Sequence, residues 1–313
     1  MSNTTATCNF SGLSRLKLYF ALSRTPHGLI DMATPAMGAL LWLGAFPPLH
    51  VVIIGLITAF AGYTAVYALN DIVDYRADKE RVKNGELPST ECYLDDTLVR
   101  HPMAYDLLSY QEGILWACAW SIIAIIGAYA LNPVCVLIFI VGCALEAVYC
   151  FMFRISPLRT FVSGAVKASG GLAAVFAVDP HPAPAYLILL FLMLFCWEVG
   201  GQNIPHDWEA IKQDIRLDAK TIPVEYGTQK ATLIVLLALG FTLFTSVMLM
   251  FYTRVHYDFI LVAGSFAIGC YLLLLPALRL RATRKRSEAM VLFNRASYYP
   301  LSLLLLITLT ILF

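Results

Sequence analysis

Long apolar segments recur along the chain, and most of the connections between them are short and polar. Because the hydrocarbon core of a bilayer is about 30 Å thick, a helix that crosses it needs about 20 mostly apolar residues. Nine segments meet this requirement. The pattern therefore predicts an all-α integral membrane protein, a bundle of nine transmembrane helices. Their predicted ranges are 28–46, 49–69, 112–131, 134–153, 161–178, 184–202, 230–252, 257–278 and 292–313.

The segment 161–178 is the least apolar of the nine, since it contains Lys167 and the four consecutive small residues 168–171. Small residues let helix backbones approach one another closely. We therefore expect this helix to pack inside the bundle rather than to face lipid.

The composition agrees with a membrane protein, because 59% of the residues are apolar and only 14% are charged, against roughly 25% charged in soluble domains. The 22 Lys and Arg balance the 21 Asp and Glu, and the net charge of +1 gives no general attraction to nucleic acid. Eight cysteines without a C-x-x-C pair argue against a disulfide framework or a zinc site. The first ten residues are polar and lack the apolar core of a cleaved signal peptide.

The basic residues predict the orientation, because short cytoplasmic loops collect Lys and Arg. With a cytoplasmic N-terminus, the outer loops contain only Arg254. We therefore expect a cytoplasmic N-terminus, and a chain without a transit segment favours a bacterial or archaeal plasma membrane. The inner segments then contain Arg15, Lys17, Arg24, Arg154, Arg159 and the basic residues within 76–100, 212–230 and 279–286.

Two polar connections are much longer than the others, residues 70–111 and 203–229, and both lie on the predicted cytoplasmic side. Long connections in compact proteins are usually functional. We therefore treat residues 1–313 as a single transmembrane domain whose cytoplasmic loops 70–111 and 203–229 carry the chemistry.

The first of these loops begins with three carboxylates at helical spacing. At 100° per residue, Asp71, Asp74 and Asp78 lie within about 60° of one another on a helix. Carboxylates at a helix end are often simply solvated. Here they share one face and adjoin an apolar span, where uncompensated charge is costly.

The second loop repeats this arrangement. On a helical wheel Asp207, Asp214 and Asp218 lie within about 40°, with Asn203 about one position away. Two carboxylate faces at one membrane surface repel each other unless cations lie between them, and oxygen ligands favour magnesium or calcium. Magnesium typically bridges carboxylates to phosphates, so the pattern favours a diphosphate substrate with a lipid-soluble tail, such as a polyprenyl diphosphate.

The first motif is that of a known family, since N-D-x-x-D-x-x-x-D stands complete as Asn70, Asp71, Asp74 and Asp78. The chain resembles the UbiA-type intramembrane prenyltransferases. The sequence R-H-P-M-A at 100–104, with L-L-S at 107–109, is similar to the family's R-P-L-A-S-G-x-x-S stretch, with an inserted His and roughly a dozen extra residues before it. The resemblance covers nearly the whole chain and implies a cytoplasmic-side active site that uses Mg²⁺, an isoprenoid diphosphate and an aromatic acceptor.

The second motif departs from the family pattern D-x-x-x-D-R-x-x-G-x-K-T-x-P. Lys220-Thr-Ile-Pro223 sets the register so that Asp214 matches the later aspartate, whereas Ala210 occupies the position of the earlier one. The usual Arg and Gly fall on Ile215 and Asp218. Either Asp207 or Asp218 is left to supply the missing ligand, and the departure affects the geometry of the second metal.

These patterns give a set of candidate residues. Lys220 is the first candidate for a diphosphate-binding cation, with a topology-setting charge as the alternative. Lys167 either binds substrate or pairs with Glu146 or Glu198 to hold spans together, and Tyr149 either lines the prenyl channel or simply packs. The predicted catalytic residues are Asp71, Asp74, Asp207 and Lys220; the metal ligands Asp71, Asp74, Asp78, Asp207, Asp214 and Asp218; and the substrate-binding residues Asn70, Asn203, Arg24, Arg100, Lys167, Asp31 and Tyr149.

Three functions remain open. The resemblance implies transfer of a polyprenyl group to an aromatic quinone precursor, such as a hydroxybenzoate or dihydroxynaphthoate, through an allylic carbocation. A terpene cyclase on the same scaffold needs no acceptor, and the altered second motif leaves room for it. An ion-coupled transporter predicts carboxylates near the bilayer midplane, whereas these cluster at one surface.

Overall fold

The computed structural model describes residues 14–83, 98–255 and 259–313, and these residues form helices without a single strand. The described residues of every predicted span are mostly helical. The helices are α1 (Arg15–Leu22), α2 (Thr25–Asp31), α3 (Ala33–Leu43), α4 (Leu49–Val73), α5 (Tyr75–Lys83), α6 (Tyr110–Leu131), α7 (Pro133–Phe151), α8 (Arg159–Val178), α9 (Pro184–Trp197), α10 (Ile204–Arg216), α11 (Ile222–Met250), α12 (Phe259–Gly269), α13 (Leu275–Thr283), α14 (Arg286–Ser297) and α15 (Tyr299–Leu312).

Eight helical stretches of the described chain are long and apolar enough to cross a membrane. The first predicted segment, 28–46, instead forms the shorter helices α2 and α3, which meet at Met32. An integral membrane bundle follows from the eight stretches, while a count of nine spans stays a prediction.

Helix boundaries coincide with local signals in the sequence. Helix α6 begins with a capping box in which Ser109 and Glu112 satisfy each other's backbone N–H groups. The side chain of Asn132 caps α7, whose first residue is Pro133. Helix α4 ends at Val73, and Asp74 forms the joint to α5. The first acidic motif is therefore spread over two short-linked helices at one end of the bundle.

The segment 203–229, predicted as a loop, is mostly helical. A π-helical stretch, Glu198–Asn203, joins α9 directly to α10, and only residues 217–221 separate α10 from α11. Helix α11 is broken at Gly227, where φ is 74°. A short polar run attached to an apolar span extends that span's helix instead of forming a separate loop. Of the other loop, 70–111, residues 84–97 lie outside the described residues.

Helix α8 lies inside the bundle, as its small residues predict. It packs against α3, α7 and α9. A Cβ atom added at Gly164 would lie 2.8 Å from the ring of Phe195, so glycine permits this close approach. The consequence for the site is that Arg159 and Lys167, both on α8, are held in the interior.

Candidate functional site

The first acidic motif forms a buried cluster where α4 meets α5. Asp71 and Asp78 are only 3% and 2% exposed, and Asp74 is half-buried. Burial and the negative charge of Asp78 raise the pKa of Asp74 to about 6. Uncompensated carboxylates at this density are costly, so the arrangement requires cations.

Two arginines provide part of the positive charge that the buried carboxylates require. Arg24 donates hydrogen bonds of 3.2 Å to Oδ1 of Asn70 and to Oδ1 of Asp71. Arg81 lies 3.1 Å from Oδ1 of Asp78 and 3.9 Å from Oδ1 of Asp214. Arg81 therefore joins the two acidic segments. It is absent from the sequence candidates, although it continues the three-and-four-residue spacing of the aspartates.

Two of the three predicted aspartates of the second acidic segment are buried. Asp207 and Asp214 lie on α10 and are 4% and 2% exposed. The helix ends at Arg216, so the wheel that places Asp218 on their face does not apply. Asp218 is exposed beyond the helix end, with φ at 53°. Oδ2 of Asp207 has no hydrogen-bond partner among the described residues, which favours Asp207 over Asp218 as the missing ligand.

Arg159 is a further buried cation of the site. Its side chain is 5% exposed, and its guanidinium lies 4.2 Å from the ring centroid of Tyr149 and 4.8 Å from that of Phe153. Within the described chain, its Nε and Nη1 have no hydrogen-bond partner. Arg159 interacts electrostatically with Asp207 and Asp74. In the sequence it is only one of several basic residues near a span end.

Lys220, the first sequence candidate for the diphosphate, lies elsewhere. Its Nζ is 2.9 Å from Oε1 of Glu225, and its side chain is 44% exposed. Its backbone N–H donates to the carbonyl of Phe153. The structure does not bring the Lys220 ammonium to the buried carboxylates, and Arg159 takes its place there.

The inserted histidine lies within the first acidic cluster. Nδ1 of His101 is 2.9 Å from Oδ2 of Asp78 and 3.4 Å from Oδ1 of Asp71. Burial alone would lower the pKa of His101, but the negative charges of Asp78 and Asp71 raise this pKa to about 9. Burial acts to raise the pKa of Asp78, but His101, Arg81 and Arg24 together outweigh burial, so the pKa of Asp78 is lowered.

A cavity of about 600 Å³ lies in the bundle next to this cluster, since Arg24, which contacts Asp71, lines it. Its polar end is lined by predicted substrate residues from five different helices or loops. The remainder is mostly apolar. The polar end includes Arg24, Asn70, Arg100, Tyr149 and Asn203, and the apolar part includes Val51, Leu56, Leu131, Phe139, Val178 and Leu305.

A buried ion pair lies at the cavity wall. Lys167 lines the cavity and donates a 2.5 Å hydrogen bond to Oδ2 of Asp31, which also accepts one from Tyr67. The predicted pairing of Lys167 with Glu146 or Glu198 is wrong. Glu146 instead accepts from Asn70 at 2.6 Å, and Glu198 accepts from Ser163 at 2.8 Å.

Breaking this ion pair should destabilise the protein. We expect Lys167→Met to lower the free energy of unfolding by about 3–5 kcal/mol, because it leaves the Asp31 carboxylate buried and unpaired. The measurement is unfolding of the purified protein in detergent. Lys167→Met combined with Asp31→Asn should recover most of the loss, and Lys212→Met on the exposed side of α10 is the control. Equal losses in the single and the double variant would contradict the pairing.

The acidic cluster fits a divalent cation. Four buried carboxylates converge from two segments, and carboxylate oxygens are the ligands that Mg²⁺ and Ca²⁺ prefer. Oδ1 of Asn203, like Oδ2 of Asp207, is buried and has no hydrogen-bond partner among residues 14–83, 98–255 and 259–313. Buried polar atoms without partners are uncommon and indicate a missing ligand or ion.

The chain is similar in sequence to known membrane enzymes. The model of the UbiA prenyltransferase family matches residues 32–298. A 4-hydroxybenzoate octaprenyltransferase of Aliivibrio fischeri (strain MJ11) is 22% identical over 73% of this chain and 75% of its own length. A 4-hydroxybenzoate octaprenyltransferase of Marinomonas sp. (strain MWYL1) is 26% identical over 74% and 77%.

Solved structures share the fold. A UbiA homologue from Aeropyrum pernix K1 superposes with a TM-score of 0.69 at 18% identity, covering 91% of this chain and 97% of that one. A UbiA homologue from Archaeoglobus fulgidus bound to DMAPP and Mg²⁺ superposes with a TM-score of 0.64 at 15% identity, covering 91% and 98%. At these identities the likeness establishes the helical architecture.

Proposed function

The chain belongs to the UbiA prenyltransferase family, and on that premise we propose that it transfers a polyprenyl group from an isoprenoid diphosphate to an aromatic acceptor. The acceptor is a quinone precursor, such as a hydroxybenzoate or dihydroxynaphthoate. One observation carries the proposal: an apolar cavity of about 600 Å³ is lined by Arg24, Asn70 and Arg100, and Arg24 contacts the buried carboxylate of Asp71. Such a cavity suits a substrate with a lipid-like tail and a strongly anionic head. The acceptor class is supported by the names of the relatives.

We assign the cofactor as Mg²⁺, held by Asp71, Asp74 and Asp78 from one segment and by Asp207 and Asp214 from the other. The Archaeoglobus homologue bound to DMAPP and Mg²⁺ supports this choice. When bound, the cation neutralises the charge that develops on the departing diphosphate. Asp218 has no place in this set, because it is exposed beyond the end of α10.

The chain's own groups bind the substrate head. Arg24 and Arg100 line the polar end of the cavity, and Arg159 lies beside Tyr149 at the same end. These cations stabilise the diphosphate as the bond from its oxygen to the prenyl C1 breaks, with both electrons passing to the oxygen. The apolar walls exclude water, which would otherwise capture the allylic cation.

A carboxylate that lines the cavity can accept the proton that the acceptor releases. The acceptor ring donates an electron pair to C1 and then loses the hydrogen of the attacked carbon. Glu198 lines the cavity, and its Oε2 has no partner in the described part of the chain. We assign Glu198 as the group that receives this proton. Its π-helical turn packs so tightly that a Cβ atom at Gly200 would lie 2.9 Å from that of Ala238.

Diphosphate release tests the proposed activity. We expect the purified protein to release diphosphate from farnesyl or geranylgeranyl diphosphate only when Mg²⁺ and an aromatic acceptor are both present, because the ring captures the cation. The readout is released diphosphate together with the mass of the prenylated product. Release without any acceptor, yielding a cyclic hydrocarbon or alcohol, would make the protein a cyclase. The absence of release under all conditions would leave ion transport as the alternative.

The cytoplasmic side is assigned from charge. The basic residues place the acidic end of the bundle on the side that collects Lys and Arg. We propose a cytoplasmic N-terminus and a site that receives water-soluble acceptors from the cytoplasm, while the prenyl tail lies among the apolar side chains of the cavity.

A further inference from the structure

His101 is positioned by a buried turn. Backbone hydrogen bonds run from Ala104 to the carbonyl of His101 and from Leu107 to that of Pro102. Met103, Ala104 and Leu108 are at most 3% exposed. They anchor the turn in the core, so the imidazole has a fixed place.

The backbone of His101 adopts a conformation that side chains disfavour. Its φ is 55°, in the left-handed region. Residues in this conformation are energetically unfavourable and concentrate at ligand sites, where the surroundings hold them in place. This conformation aims the imidazole at the acidic cluster.

One nitrogen and two carboxylates converge at this point. Nδ1 of His101 and one oxygen each of Asp71 and Asp78 all lie within 4.8 Å of one another. Although Nδ1 is 2.9 Å from Oδ2 of Asp78, it makes no hydrogen bond with acceptable geometry to a described residue. These three atoms lie close enough together to bind one cation.

Each neighbouring arginine contacts one oxygen of a carboxylate. Arg24 contacts Oδ1 of Asp71, which His101 also approaches, whereas Arg81 contacts Oδ1 of Asp78 and His101 lies nearer to Oδ2 of that residue. Such outer contacts orient ligands without replacing them. The two carboxylates are therefore held with oxygens available to a cation beside the imidazole.

We propose that His101 is a nitrogen ligand of a divalent cation that Asp71 and Asp78 also bind, which makes this a mixed nitrogen and oxygen site. The proposal rests on the proposed use of a divalent metal and adds a ligand of another chemical class. Imidazole favours transition metals, whereas Mg²⁺ prefers oxygen. The site therefore binds Mn²⁺ and Co²⁺ more tightly, relative to Mg²⁺, than a site of carboxylates alone.

The test is pulsed EPR of Mn²⁺ bound to the purified full-length protein in detergent, without any prenyl substrate. We expect a nitrogen coupling from one imidazole in the unchanged protein and in His181→Asn, an exposed histidine on another connection. The coupling should disappear in His101→Asn. Protein labelled with ¹⁵N-histidine should show the corresponding shift, which tests the ligand type even if the variant misfolds.

Metal affinities provide a second readout. His101→Asn should weaken Mn²⁺ binding by about 10- to 100-fold and change Mg²⁺ binding far less. No nitrogen coupling in the unchanged protein, or coupling that persists in His101→Asn, would overturn the proposal and leave His101 as a counter-ion of the carboxylates. Because no turnover is measured, either result is separate from whether the protein transfers prenyl groups.

Discussion

Asp207→Asn should lower the rate of prenyl transfer by about 10²- to 10³-fold, whereas Asp218→Asn should leave it within about twofold. In the sequence, either of these two aspartates can supply the carboxylate that is missing at Ala210. In the structure Asp207 is 4% exposed with Oδ2 unpartnered among the described residues, while Asp218 is exposed past the end of α10. Loss of a charged oxygen ligand weakens both metal binding and stabilisation of the departing diphosphate.

The measurement is kcat/KM for the prenyl diphosphate over a range of Mg²⁺ concentrations. Because Asn keeps the size of Asp, packing around α10 should change little, and a thermal unfolding curve checks this. Partial recovery of Asp207→Asn at high Mg²⁺ is expected, since the remaining carboxylates still bind. A large loss in Asp218→Asn with a normal Asp207→Asn would show that the last turn of α10 rearranges on substrate binding, against the assignment made here.

Arg159→Gln should lower kcat/KM for the prenyl diphosphate by about 10²-fold, and Lys220→Gln should change it by less than about threefold. Arg159 is buried beside Tyr149 with Nε and Nη1 unpartnered in the described chain, so its guanidinium is available to the diphosphate. Loss of charge-assisted hydrogen bonds to phosphate in a dry site costs about 1.5–3 kcal/mol, roughly a 10- to 100-fold effect. Lys220 is paired with Glu225 at an exposed position.

Arg159→Lys separates charge from geometry. Lysine keeps the positive charge but lacks the planar set of donors and the stacking surface. We therefore expect kcat/KM of Arg159→Lys to lie between the values of the unchanged protein and of Arg159→Gln. Binding of a non-reactive prenyl diphosphate analogue should weaken in parallel. If Lys220→Gln were the more damaging change, the exposed loop after α10 would have to fold over the diphosphate during turnover.

Local periodicity makes much of this protein readable from its sequence. The apolar segments place the spans, because a bilayer imposes a minimum length on each of them. The spacing of Asp71, Asp74 and Asp78 places these carboxylates together, since residues three and four apart share a helix face. The helix-packing role of α8 follows from its run of small residues. All of these conclusions depend on neighbours within one or two helical turns.

The helix end that removes Asp218 from the site is harder to predict. A wheel assumes that the helix continues, whereas α10 stops at Arg216 and the chain turns through Asp218 with a positive φ. The π-helical stretch that carries Glu198 is equally invisible in the pattern. Such departures from regular geometry are set by packing against other helices, here α11.

A helical membrane bundle with two acidic segments can be inferred from the amino-acid sequence, because these properties depend on composition and on residues a few positions apart. Which charges meet depends on how the helices pack. Asp31 and Lys167 are 136 positions apart, and Arg81 reaches Asp214 from a different helix. His101 reaches Asp71 and Asp78 from a separate turn. A buried charge needs a partner within a few ångströms, and helix packing, which no local pattern encodes, determines which partner that is.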